Sequence, residues 1–311
     1  MFLNELCPGD SAEGYFILES ILVKTASNGK PFLSLVLGDR SGTMEAKVWD
    51  YRGPIGAGDT GAVAYLKGSV SEFRGASQLT IDVLRLADAS DRYPVSDLVP
   101  AAPIDLKASW QKLQDYVDSI SDPDYAAVCR RMLDEYGERF RTIPAAKSVH
   151  HSFLNGLLMH TLFMVETADF LAGQYAAVID RSLLLAGTLL HDFLKCEEFT
   201  TSPLGLVTDY STKGQLLGHL VMGAQAVARA AEDCGIPEEK SVLLQHLILS
   251  HHGEPEFGAA VRPLCAEAEL LSQIDSIDSR MEIYRETLAE LPQGEFSQRV
   301  FALDHRVYRH D

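Results

Sequence analysis

The segment Leu183-Leu-Leu-Ala-Gly-Thr-Leu-Leu-His191-Asp192 places the hardest constraint on any fold this chain adopts. Its apolar residues demand burial, and they carry an imidazole and a carboxylate inward with them. A bare buried carboxylate is costly unless a cation or a hydrogen-bond partner compensates it. A divalent cation does this well. Mixed imidazole and carboxylate donors suit Mn, Fe, Zn, Co or Ni better than Ca.

Other segments repeat the pattern. His160 follows Asn155-Gly-Leu-Leu-Met, and His219 sits in Gly218-His-Leu-Val-Met-Gly. His251-His252 closes an apolar helical run, and Asp275 ends Leu270-Leu-Ser-Gln-Ile. A lone histidine on an apolar helix is more often a hydrogen-bonded core residue than a ligand. The ordered set is a candidate metal site. None of the ten histidines precedes residue 150, and eight fall between His150 and His252, so the chemistry belongs to the second half.

Neighbouring residues supply further candidates. Lys195 can present a cation beside the His191-Asp192 doublet, or simply pair with Glu197 or Glu198 at the surface. His150 and His151 can serve as acid or base groups, or cap and pack the segment they begin. His246 reads as structural, His305 and His310 as exposed tail residues, and Cys196 as a small packing residue.

The first ninety residues have a different grammar. Tyr15-Phe-Ile-Leu-Glu-Ser-Ile-Leu-Val is strand-like, Asn28-Gly29 is a hairpin signal, and Phe32 to Leu37 is a second apolar run. Thr43 to Trp49 alternates, with Met44, Ala46 and Val48 on one side. Strands over 61–71 and 78–86, joined around Arg74-Gly75, complete a small five-stranded barrel. Residues 89–104 read as a linker. Helices are expected from Leu106 onward: a second one starting at Asp122-Pro123, then 144–173, 180–193, 214–234, 238–250 and 263–291. The expected architecture is multidomain α and β: a barrel over 1–88, a linker over 89–104 and an all-helical domain over 105–311. The tail 296–311 offers a docking surface for its own domain or for a second copy, which leaves a homo-oligomer open.

Two resemblances attach to these residues. Gly29-Lys30-Pro31-Phe32, Leu37-Gly38-Asp39-Arg40-Ser41-Gly42 and Ala46-Lys47-Val48-Trp49 resemble an OB-fold of the nucleic-acid-binding kind. Phe32, Lys47, Trp49, Phe73 and Arg74 would then supply stacking and charge to a single strand; the plainer reading makes Phe32 and Trp49 barrel core. The ordered His160, His191-Asp192 and Asp275 resemble the HD-domain phosphohydrolase superfamily. That resemblance implies one metal on His160, His191, Asp192 and Asp275, with Asp192 bridging to a second on His219, His251 and His252. It also matches Lys195 to the family lysine, although Leu194 stands where the family has glycine.

Barrel, linker and metal pattern together resemble the YhaM-type 3′–5′ exoribonucleases. This implies metal-dependent removal of nucleotides from the 3′ end of single-stranded RNA, or DNA, with Asp192, Lys195 and His151 as catalytic residues. The resemblance also implies two divalent ions, with Mn²⁺ favoured over Fe²⁺, Co²⁺, Ni²⁺ or Zn²⁺, and a metal-activated hydroxide as nucleophile. The alternatives are a phosphohydrolase of nucleotides or cyclic dinucleotides, and a non-catalytic nucleic-acid-binding protein with a structural metal site.

Charge bounds these readings. The net charge of −17 counts against a protein that coats nucleic acid by phosphate neutralisation. Residues 1–89 carry 8 Lys+Arg against 11 Asp+Glu, and residues 90–311 carry 19 against 33, so the barrel is the less repulsive surface for a phosphate backbone. Five scattered cysteines without a CxxC pair fit a reduced cytoplasm. Neither a signal peptide nor a membrane span is expected.

Overall fold

A computed structural model describes residues 1–73, 75–146 and 152–310. Contacts divide the chain into two compact units, Met1–Pro100 and Ala101–Asp311.

In the first unit, β1 (Ser11–Thr25), β2 (Pro31–Asp39), β3 (Gly42–Trp49), β4 (Val63–Phe73) and β5 (Ala76–Leu86) form a closed barrel in the order β1-β2-β3-β5-β4. The β3–β5 pairing is parallel and the others are antiparallel. Side chains alternate across a strand, so Met44, Ala46 and Val48 enter the core with Leu33, Leu35, Leu37, Leu66 and Leu79. Glu45, Lys47 and Trp49 point the other way. β1 reaches two neighbours because a bulge between Leu18 and Ser20 bends it: the half from Ser11 to Ile17 pairs with β4, and the remainder with β2.

The expected linker is tied to its surroundings. Asp91 accepts hydrogen bonds from Tyr15 (2.6 Å) and from both terminal nitrogens of Arg85 (2.7 Å each). Ala101 forms a bridge with Leu154.

The second unit contains α1 (Leu106–Asp118), α2 (Pro123–Phe140), α3 (Gly156–Gln174), α4 (Arg181–Leu190), the single turn α5 (Lys195–Glu198), α6 (Thr212–Cys234), α7 (Glu238–Ser250) and α8 (Ala266–Glu290). Side-chain caps define several starts: Asp105 for α1, Asp122 for α2 with Pro123 in its first turn, Asp180 for α4 and Ser211 for α6. The unit is not wholly helical. Short hairpins form from β6 (Phe199–Thr201) with β7 (Val207–Tyr210), and from β8 (Phe296–Val300) with β9 (His305–Tyr308). The second hairpin buries Leu303 and Val307 against Ile283, so the tail covers its own domain.

The expected helix over 144–173 starts late. Asn155 takes a left-handed conformation (φ 62°) and its side chain donates to the Arg141 carbonyl at 2.9 Å, so α3 begins only at Gly156. Among the described residues, no helix is long and apolar enough to cross a membrane.

One glycine in the barrel is required by close approach. A Cβ at Gly68 would lie 2.2 Å from the Thr80 carbonyl oxygen, at the bulge where β4 meets β5. Gly68→Ala should therefore destabilise the barrel by about 1–3 kcal/mol. The check is the urea midpoint followed by Trp49 fluorescence in a Trp110→Phe background. An unshifted midpoint would mean that the two strands can part without cost.

Candidate metal centre

The centre assembles where helix ends meet. α4 is buried from Ser182 to Leu190 and delivers His191 and Asp192, which are 1% and 2% exposed. His191 lies just past the last turn, and its Nδ1 donates to the Thr188 carbonyl at 2.7 Å. His251 uses the same device at the end of α7, with Nδ1 donating to Ile248 at 2.8 Å. A carbonyl acceptor fixes Nδ1 as the protonated nitrogen and leaves Nε2 with a free lone pair. Both Nε2 atoms face the Asp192 carboxylate.

His160 stands on the second turn of the apolar helix α3, and its Nδ1 lies 2.7 Å from Asp278 Oδ2. Its Nε2 is 3.3 Å from His191 Nε2, 3.6 Å from Asp192 Oδ2 and 3.5 Å from Asp275 Oδ1.

His219 depends on a break in α6. Gly218 has φ 69° and ψ 162°, a left-handed φ that a residue with a side chain rarely adopts. The helix restarts at His219, whose backbone N–H donates to Glu198 Oε1 at 3.0 Å while its Nδ1 lies 3.1 Å from the same oxygen. Its Nε2 is thereby directed at Asp192 Oδ1, 3.3 Å away.

Asp192 divides its two oxygens between two sets of imidazoles. Oδ2 faces His160 and His191 (3.6 and 3.3 Å) and meets Lys195 Nζ at 2.7 Å. Oδ1 faces His219 and His251 (3.3 and 3.6 Å). One ligand atom from each of His160, His191 and Asp275 gathers within 4.8 Å, and so does one from each of His219, His251 and His252.

The residues fit metal ions on a direct structural test. Asp192 Oδ1, His219 Nε2, His251 Nε2 and His252 Nδ1 are buried without a hydrogen-bond partner. Each such atom costs about 1–3 kcal/mol if left unsatisfied. Here they converge, and they are the donor types that a transition-metal cation accepts.

Protonation follows from the surroundings. Burial works against charge on His160, but hydrogen bonds to Asp192 and Asp278 and the field of Asp275 outweigh it and raise its pKa to about 10. Burial would raise Asp192, yet Lys195 and His191 hold its carboxyl well below the usual carboxylate range. Burial and then the neighbouring His251 push His252 down to about 3, so it is neutral, the form that ligates metal. His251 is also lowered, chiefly by burial.

Every expected metal ligand is therefore in one place, and all but His191 line a cavity of about 780 Å³. Lys195 pairs with Asp192 and not with Glu197, which takes Arg139 at 2.5 Å. Leu194 in place of glycine is accommodated, since its φ of −81° and ψ of 3° suit any residue. His246 lies apart in role, accepting the Leu264 N–H at 2.9 Å. His150 and His151, and Arg74 in the barrel, lie outside the described residues.

Sequence reasoning left Asp278 without a role and offered Glu198 only as a surface partner of Lys195, yet they orient His160 and His219. The spacing of Asp278, one helical turn beyond Asp275, is the one signal that could have found it.

In the barrel, Phe32 pairs in register with Trp49, with ring centroids 4.9 Å apart. Trp49 and Phe73 are 51% and 48% exposed, so neither is core. The Lys47 ammonium lies 4.6 Å from the Phe73 ring and 5.3 Å from the Trp49 ring.

Comparison with known proteins agrees with this geometry. The family model described as HD domain matches residues 157–280, and the HD domain implies dependence on a divalent metal. The 3′-5′ exoribonuclease YhaM of Halalkalibacterium halodurans is 37% identical over 96% of this chain and 93% of that protein. Proteins of the same name from a Geobacillus species and from Listeria monocytogenes are 35% and 36% identical, again over 96% of this chain and over 92% and 95% of theirs. Among solved structures, the second OB-fold domain of replication protein A from Methanococcus maripaludis covers 30% of this chain and 98% of its own, at 18% identity and a TM-score of 0.23. That score adds nothing to the strand order, which already defines the barrel. With the relatives aligned over nearly the full length of both chains, the protein belongs to the YhaM family of 3′-5′ exoribonucleases.

Proposed function

We propose that this protein is a metal-dependent phosphodiesterase that removes nucleotides from the 3′ end of single-stranded RNA. The observation that carries the reading is the divided carboxylate of Asp192, with one oxygen facing His160 and His191 and the other facing His219 and His251. The relatives' shared name supplies polarity and substrate.

His160, His191, Asp192 and Asp275 would hold one ion, and Asp192, His219, His251 and His252 a second, with Mn²⁺ the first choice. When bound, the ions supply positive charge to the phosphate and acidify a water toward neutrality. Asp192 orients both ligand sets through its two oxygens. Lys195, whose side chain is 16% exposed and lines the cavity, would place an ammonium beside the phosphate path. His151 is assigned the proton for the leaving 3′-oxygen. Phe32, Lys47, Trp49, Phe73 and Arg74 are assigned to the strand, where stacking on exposed rings is sequence-tolerant.

The domain limits we propose are 1–88, 89–104 and 105–311. A reduced cytoplasmic location is supported by free thiols at Cys7, Cys129, Cys196, Cys234 and Cys265.

A 5′-labelled single-stranded RNA incubated with Mn²⁺ should give a ladder shortening from its 3′ end. EDTA should abolish it, and a duplex or a 3′ block should stall it. Asp192→Ala should give no ladder while still binding the strand. If the wild-type protein leaves the strand intact but hydrolyses a small phosphodiester, the substrate is a nucleotide or cyclic dinucleotide instead.

The hydrogen bond from His160 to Asp278 generates a separate expectation. Asp278→Ala should weaken Mn²⁺ binding about 10- to 100-fold, read by calorimetric titration of the metal-free protein. Unchanged affinity would make Asp278 a structural partner only.

A further inference from the structure

We infer that the mouth of the metal cavity holds a subsite for the nucleotide adjacent to the one being removed, with Arg280 on its phosphate and Phe257 against its base. The inference rests on the exonuclease reading and names where the strand lies once its end is in the site.

Arg280 lines the same cavity as Asp192 and Asp275. Gln273, Ser276 and Arg280 also line it, and their i, i+3, i+7 spacing puts them on one face of α8. Arg280 is five residues beyond Asp275, about 7.5 Å along the helix axis. A phosphate drawn to Lys195 and to ions that His160, His191, Asp192 and Asp275 would hold leaves Arg280 to a neighbouring one.

Among the described residues, the guanidinium has no hydrogen-bond or ion-pair partner. Arg139, Arg262 and Arg285 each pair with a carboxylate. Among the described residues, no carboxylate lies within 4.0 Å of Arg280. The acids around it are engaged elsewhere. Glu254 takes Arg262 at 2.8 Å, Glu269 accepts from Gln273 at 3.1 Å, and Asp278 holds His160 at 2.7 Å. In a region with 19 Lys+Arg against 33 Asp+Glu, an arginine kept clear of every carboxylate is available to an anion from outside. A planar guanidinium suits a phosphate, whose oxygens accept two parallel hydrogen bonds.

Phe257 is an independent observation. It ends a short 3-10 turn, lines the same cavity, and is 77% exposed. An exposed ring at the mouth of a polar cavity is a stacking platform. Every base has a π-face, so such a platform serves an enzyme that removes successive nucleotides of any sequence.

The test is steady-state digestion of single-stranded RNA with Mn²⁺ by the full chain and its Arg280→Ala, Arg280→Lys, Phe257→Ala and Phe257→Trp variants. Substrates carry one neutral methylphosphonate at each of the last few linkages in turn. Arg280→Ala should raise KM on the order of tenfold, as for a lost charge-assisted contact, with kcat nearly unchanged. Arg280→Lys should recover part of the loss. The slope of log KM against log salt should be shallower by about 0.7 in Arg280→Ala. The wild-type protein should lose affinity for the methylphosphonate at one linkage upstream of the scissile bond, and Arg280→Ala should be indifferent to it. Phe257→Ala should raise KM to a similar degree, and Phe257→Trp should restore it. Metal content and thermal midpoint verify that each variant is folded and loaded. A wild-type KM in Arg280→Ala, or a methylphosphonate penalty that persists in it, overturns the subsite. An ordinary KM in Phe257→Ala removes its platform. If the wild-type protein does not shorten the strand at all, the exonuclease reading falls instead.

Discussion

The helical unit is organised by the problem of keeping Asp192 ionised in its interior. A carboxylate that is 2% exposed cannot persist without compensation. The chain answers with Lys195 at 2.7 Å, with the adjacent His191, and with imidazoles brought from three other helices or helix ends. α3 supplies His160, α4 ends at His191, α6 breaks to present His219, α7 ends at His251, and α8 adds Asp275. Several of these donor atoms have no protein partner, so the arrangement is complete only with cations.

Four of the imidazoles are aimed by a second hydrogen bond behind them. Backbone carbonyls one turn back serve His191 and His251, and carboxylates serve His160 and His219. These outer partners fix the tautomer and the ring orientation before any metal arrives, which reduces the reorganisation that binding requires. The kink at Gly218 belongs to the same logic. A continuous helix there would pair the His219 N–H within the helix and leave the buried Glu198 carboxylate without that donor.

The barrel unit answers a different requirement. A single strand of varied sequence needs aromatic faces and a modest positive charge on a surface that does not repel phosphate. The proposed strand surface is the outward face of β3 and the end of β4, where Lys47 is set near the Trp49 and Phe73 rings. Strand alternation makes this possible, because the residues that fill the core and those that face outward take turns along β3. In the proposed function the barrel would bind the strand and the acidic helical unit would hold the cations.

Much of this was legible in the residues alone. Apolar runs that end in histidine or aspartate identify the ligand set, because such residues beside core side chains require a shared counter-ion. Alternation in β3 and the Asp122-Pro123 start of α2 are local rules, and local rules survive into the fold. The start of α3 was not legible. Asn155 adopts its left-handed conformation only because the carbonyls of Arg141 and Thr142 lie within its reach. The same limit applies to Asp278, Glu198 and Arg280. Whether a charged residue is an orienting partner, or is left free for a ligand, depends on which groups approach it through space. The sequence by itself determined which residue types could ligate and where strands and helices would run. The tertiary structure decided which oxygen of Asp192 faces which imidazoles, which carboxylates stand behind them, and which groups approach Arg280, since those are distances between segments that lie far apart along the chain.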